Sequence, residues 1–129
     1  MDPGTRHLAA IAALLASVAA ALAAVGSHVL AGKLDAAGLA SFNTAVVFQF
    51  VNALGLFAVA WGRERLPASG LLRLSGWLLM TGTLLFCGSI YAARLGFTAA
   101  TGPAAPIGGS AVIVAWLGVA WAFLADARR

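Results

Sequence analysis

Four runs of about twenty apolar residues, nearly free of charge, dominate this chain: 8–30, 43–61, 74–95 and 106–124. A hydrocarbon core about 30 Å thick takes roughly 20 helical residues to cross, so each run is a candidate span. Every backbone N–H and C=O must find a partner inside hydrocarbon, and a helix provides that within one segment. Composition agrees with this reading. The 129 residues are 62% apolar and only 9% charged, against about a quarter charged in soluble domains, and the mean hydropathy is +0.96. The predicted fold is an all-α integral membrane four-helix bundle with short loops, a single transmembrane domain over 1–129.

The second run has a lead-in from Asp35, a suitable N-cap, and Pro106 suits the first turn of the fourth helix because its missing N–H would be unpaired there anyway. Arg6 precedes the first run, and Ala21-Leu22-Ala23 has the small-residue pattern of a signal cleavage site. The run is longer than the usual signal core of about 7 to 15 residues, so a retained helix is expected.

Four spans put the N-terminus, the second loop and the C-terminus on one side. That side holds Arg6, Arg63, Arg65, Arg73, Arg128 and Arg129, whereas the other holds Lys33 and Arg94. Basic residues accumulate on the cytoplasmic face, so both termini are expected in the cytoplasm (N-in/C-in). Trp61, Trp77 and Trp121 fall near the same face, as an aromatic belt requires. The net charge of +4 belongs to this topology and to lipid contact, and nucleic acid is not an expected partner.

Catalytic signatures are absent. There is no Gly-x-Ser-x-Gly, no His-Glu-x-x-His, no phosphate-cradling loop and no carboxylate pair, and Asp2, Asp35, Glu64 and Asp126 lie at span ends. The lone Cys87 sits inside an apolar run and reads as a small buried hydrophobe. His7 and His28 are expected on opposite faces of the membrane, so no metal site is expected, since one needs three or four converging donors.

Helices in lipid associate through close backbone approach and polar contacts, so small residues should mark the seams. Ala12, Ala16, Ala20 and Ala24 recur every four residues and lead to His28. In the third run Ser75, Gly82 and Ser89 recur at seven, and in the fourth Ala111, Ala115, Gly118 and Ala122 form a stripe. In the second, Ala45, Gln49, Asn52, Leu56 and Val59 share one face, which turns the two amides toward the bundle, because an unpartnered amide in hydrocarbon costs several kcal/mol.

His28, Gln49, Asn52, Ser89, Tyr91 and Arg94 then fall in one half of the membrane, at the level where Gly108 and Gly109 open the fourth helix with unpaired N–H groups. This cluster has two readings. Its members either satisfy one another and hold the helices in register, or they form a small site for a solute, a proton, a lipid head group or a quinone. For His28, both roles stay open.

The segments "VGSHVL", "SFNTAVVFQFVNALGL", "LLFCGSIY" and "PIGGSAVIVAWLG" together resemble the small four-span membrane family known as domain of unknown function 423, which includes eukaryotic transmembrane protein 256. The resemblance runs from about Val25 to Trp121. It implies a multipass protein, in bacteria of the inner (plasma) membrane, without an established activity. His28, Gln49, Gly88, Ser89, Tyr91, Gly108 and Gly109 match the family pattern. Val47, Phe48 and Asn52 stand where that pattern carries an arginine, a tyrosine and a histidine, which weakens any shared ionisable mechanism and favours the packing account.

The leading expectation is a non-enzymatic interaction or accessory subunit of a membrane assembly, or a homo-oligomer, with the bilayer as its other partner. A binder or conduit at the polar cluster is the alternative, and an oxidoreductase subunit holding haem or quinone is a third. No cofactor is expected, although a bound lipid is compatible with the cluster.

Overall fold

The computed structural model describes residues 1–97 and 102–126. It contains four helices, α1 (Pro3–His28), α2 (Ala36–Arg65), α3 (Gly70–Arg94) and α4 (Ala104–Asp126), with a 3-10 turn at Leu30–Gly32. All four are long and apolar enough to cross a membrane. Among the described residues there is no strand.

All four helices begin before the apolar runs do, and in α1, α2 and α3 a capping side chain rather than hydropathy sets the start. Asp2 accepts hydrogen bonds from the Thr5 backbone N–H at 2.9 Å and the Thr5 hydroxyl at 2.7 Å, with Pro3 at the first helical position. Asp35 accepts from the Gly38 N–H at 2.7 Å, so α2 starts at Ala36 instead of residue 43. Ser69 caps α3 through the Leu72 N–H at 3.2 Å. The end of α3 depends on Gly96, whose φ of 97° is a left-handed value that only glycine adopts without strain. It lets the Phe97 N–H return to the Ala92 carbonyl at 2.8 Å, the six-to-one bond of a Schellman turn.

Close approaches at glycines define the antiparallel order. Gly26 near the end of α1 meets Phe42 near the start of α2, and Gly4 meets Arg63 at the opposite ends of the same pair. Gly55 and Gly62 of α2 face Leu79 and Leu72 of α3, and Gly82 and Ser75 of α3 face Gly108 and Gly118 of α4. Each helix therefore packs on its chain neighbour, and α3 and α4 share the most extensive contact. Central α2 buries residues along nearly its whole length, from Gly38 to Gly62.

The main core joins Leu8 and Ala12 of α1, Leu56 and Val59 of α2, Leu72 and Leu79 of α3, and Val112 and Ala115 of α4. A smaller one, near the 3-10 turn, gathers Leu30, Phe42 and Val46. Large apolar side chains also cover the outside, among them Leu14, Val47, Leu54, Leu84, Ile113 and Leu117. Such a surface suits lipid as solvent.

The seam of α1 differs from the expected alanine row. Thr5, Ala12, Ala19 and Gly26 are buried at steps of seven, whereas Ala16 is half-buried and Ala20, Ala24 and His28 are exposed. Steps of four rotate by about 40° each around a helix of 3.6 residues per turn, whereas steps of seven drift by only about 20°. A row at i, i+4 therefore winds off the interface within two turns. In α4 the spacing alternates between three and four, and Gly108, Val112, Ala115, Val119 and Ala122 stay buried, flanked by half-buried Ala111 and Gly118.

Candidate functional site

Two of the buried polar side chains, Gln49 and Asn52, form separate hydrogen-bonded centres on α2. Gln49, 4% exposed, donates from Nε2 to the Leu15 carbonyl of α1 at 2.8 Å and accepts at Oε1 from the Tyr91 hydroxyl of α3 at 2.9 Å. One amide thus joins three helices. The Tyr91 ring lies 5.2 Å from that of Phe42, which holds its hydroxyl over the glutamine.

Asn52, 2% exposed, lies almost one helical turn further along. It donates from Nδ2 to its own helix at the Phe48 carbonyl, 2.8 Å away, and accepts at Oδ1 from the Trp116 indole N–H of α4 at 3.0 Å. Gly55 makes this approach possible, since a Cβ there would stand 2.5 Å from the Trp116 ring. One turn before Gln49 on α2, the Ala45 carbonyl accepts from the Cys87 thiol at 3.3 Å. Thr83 and Ser89 bond back to their own helix at the Leu79 and Phe86 carbonyls.

The remaining sequence candidates are placed differently. His28 is exposed on the last turn of α1, and its side chain makes no hydrogen bond to the described residues. Arg94 is exposed at the end of α3, its guanidinium beside Gly38 of α2. Gly108 packs backbone to backbone on α3, where an added Cβ would lie 2.5 Å from the Phe86 nitrogen and 2.7 Å from the Gly82 carbonyl. Gly109 only touches the Phe86 ring. Gln49 and Tyr91 therefore meet, Asn52 turns to α4 instead, and His28 and Arg94 stay at the periphery.

Trp116 is the residue that sequence reasoning passed over. Its signal was an indole N–H several residues inside a span, which in hydrocarbon must find an acceptor. The Leu15 carbonyl carried no such signal, because it becomes available only when a glutamine reaches across from another helix.

Beside the Asn52–Trp116 pair, an open groove of about 930 Å³ runs between α2 and α4. Val47, Val51, Ile113 and Leu117 form its walls, with Phe86 of α3 and the Asn52 amide at its floor. Phe48 and Phe86 close its inner side with ring centroids 4.3 Å apart. Among the described residues no three His, Cys, Asp or Glu side chains converge on a common point. Chemically, this site offers apolar contact and amide hydrogen bonds.

Comparison with known proteins gives two matches. The family model described as a protein of unknown function, DUF423, matches residues 22–109. The UPF0382 membrane protein YwdK of Bacillus subtilis (strain 168) is 37% identical over 107 residues, covering 83% of this chain and 87% of its own length. No solved structure matches.

Proposed function

We propose that this chain, which belongs to the DUF423 family of membrane proteins, is a non-catalytic subunit that works from its lipid-facing surface, by associating with copies of itself or with other membrane proteins. The observation that carries this reading is the state of the interior. No buried side-chain nitrogen or oxygen among the described residues lacks a hydrogen-bond partner. A conduit or proton path would instead need polar groups waiting for solvent or substrate. Both amides are engaged in hydrogen bonds within the bundle, and the groove of about 930 Å³ opens outward between α2 and α4.

We place the protein in the bacterial plasma membrane with both termini in the cytoplasm. Arg6, Arg63, Arg65 and Arg73 support this, since they share one end of the described bundle and Lys33 and Arg94 the other. Arg128 and Arg129 lie outside the described residues.

The test fills the groove. Extracted in mild detergent, the protein should migrate as an assembly larger than one protomer with its detergent. Val47→Trp or Ile113→Trp should dissociate it, and Leu14→Trp, on an exposed part of α1, should not. A protomer-sized particle unaffected by all three changes would refute association through this face.

A second reading has one specific observation in its favour. Asn52 sits at the floor of the groove and one of its two amide hydrogens is engaged by the Phe48 carbonyl, so the other is free to donate to the carbonyl of an apolar ligand such as a quinone. If the groove-filling variants release a lipid or quinone rather than a protein, this reading replaces the first.

A further inference from the structure

At the end of the bundle that holds the start of α1 and α3, away from the mid-helix Gln49 and Asn52 centres, these two helices part around a crevice of about 220 Å³. Three basic-type side chains from three helices border it: His7 of α1, Arg63 of α2 and Arg73 of α3. Its floor is apolar, formed by Ile11 and Met80, and Trp77 lies one turn inward from Arg73. We infer that this crevice is a binding site for an anionic phospholipid, with the phosphate between Arg63 and Arg73 and an acyl chain laid along the α1–α3 furrow.

Charge complementarity is the first support. The Arg63 side chain is only 17% exposed and lies over the bare Cα of Gly4, with the Asp2 carboxylate at 3.9 Å. Asp2 is itself occupied by two hydrogen bonds from Thr5, and the other two acids at this end stand outside the crevice: Glu64 pairs with the N-terminal amine at 3.3 Å, and Asp126 lines a separate cavity with Arg65. Arg73 has no carboxylate partner among the described residues. Positive charge is thus left over in a pocket with a low-dielectric floor, where its attraction for an anion is screened less than on an open surface.

The second support is the shape beneath the charge. The same faces of α1 and α3 carry a further, mainly apolar cavity of about 260 Å³, bordered by Leu15, Val18 and Leu84 and reaching the Gln49–Tyr91 pair. Leu84 is eleven residues beyond Arg73, about 16 Å of helical rise. That matches the half-thickness of a hydrocarbon core of about 30 Å. A free phosphate would use the arginines and leave the furrow empty, whereas a phospholipid uses both. Trp77 stands at the depth where an indole settles among head groups.

Native mass spectrometry of the full-length protein in mild detergent, with phosphatidylglycerol or phosphatidylcholine of the same chains added, tests the site. Phosphatidylglycerol should be retained in preference. Arg73→Gln should lower its retention about fivefold, and Ile11→Trp, which fills the floor without changing charge, should lower it too. Arg65→Gln removes an equal charge outside the crevice and should change little. Equal losses in Arg65→Gln and Arg73→Gln would overturn the site in favour of diffuse surface attraction. Equal retention of the two lipids, or displacement by glycerol phosphate as effective as by the whole lipid, would overturn it as well. Circular dichroism identifies any variant that fails to fold, and Arg63→Gln provides an independent arm if Arg73→Gln does.

Discussion

Gln49 and Asn52 are neighbours on one helix face, yet they are held by different partners, and their substitutions should differ accordingly. Gln49→Leu removes both the bond to Leu15 and the one from Tyr91, whereas Tyr91→Phe removes only the second. Interhelical hydrogen bonds in membrane proteins contribute about 0.6 kcal/mol on average and at most about 1.7. Thermal unfolding in detergent should therefore rank Gln49→Leu as the more destabilising, by roughly twice the Tyr91→Phe effect. A double-mutant cycle of Asn52→Leu with Trp116→Phe should return a coupling of about 0.6 to 1.7 kcal/mol. A coupling near zero would mean the pair at 3.0 Å does not form in the membrane. Asp2 supplies a pH dependence at the membrane surface. The Thr5 hydroxyl and backbone N–H, helped by Arg63, hold its carboxyl below the ordinary value of 3.8. A depressed folded value makes its contribution full above the ordinary value and lost as pH falls through the lowered one. Amide exchange in the first turn of α1 should rise in that acidic window, and Asp2→Ala should show the same fraying at neutral pH. At this scale, sequence reasoning singled out Gln49, Asn52 and Tyr91. It could not pair them, since both amides face the bundle and only the positions of α1, α3 and α4 decide which partner each can reach.

At the scale of helices, three glycines of the α3–α4 hairpin make a graded series. An added methyl at Gly108 meets backbone atoms of Phe86 and Gly82, at Gly109 it meets only ring carbons at 3.5 Å or more, and at Gly88 it meets nothing within 4 Å. Backbone cannot rotate away as a side chain can, so Gly108→Ala must separate α3 from α4. A loss of about 1 to 3 kcal/mol is expected, in line with overpacking elsewhere. Gly109→Ala and Gly88→Ala should stay close to the parent in the same melting experiment. Equal melting of all three would show that this hairpin packs more loosely than its glycines indicate. The three were equivalent as sequence, each being a match to the family pattern. Alanines in α1 carried a similar ambiguity. Their four-residue recurrence was visible, but the seven-residue seam through Thr5, Ala12, Ala19 and Gly26 was hidden among so many small residues.

For the molecule as a whole, the charge asymmetry makes a prediction about sidedness. A cysteine placed at Ala68, in the α2–α3 connection, should react with an impermeant thiol reagent only after the cell membrane is opened, and one at Gly32 should react in intact cells. Native Cys87 is buried and should contribute little background. Reversed labelling would place the termini outside, and it would move the Arg63–Arg73 crevice to the outer leaflet without altering its chemistry. The groove between α2 and α4 and the crevice between α1 and α3 both arise because each helix packs chiefly on its chain neighbours. Non-adjacent pairs are left partly separated, and the gaps between them open to lipid.

Span number and helical class were determined by sequence alone, because hydropathy adds up along a segment and a run of twenty apolar residues has one stable state in hydrocarbon. The cap at Asp35 and the place of Pro106 in the first turn of α4 were readable for a related reason, being local chemistry within three or four residues. The pairing of Gln49 with Leu15 and Tyr91, the turn of Asn52 toward Trp116, and the two lipid-facing concavities were decided only by tertiary structure. Those depend on the rotation of each helix about its axis and on which neighbours stand beside it, quantities that no single segment encodes.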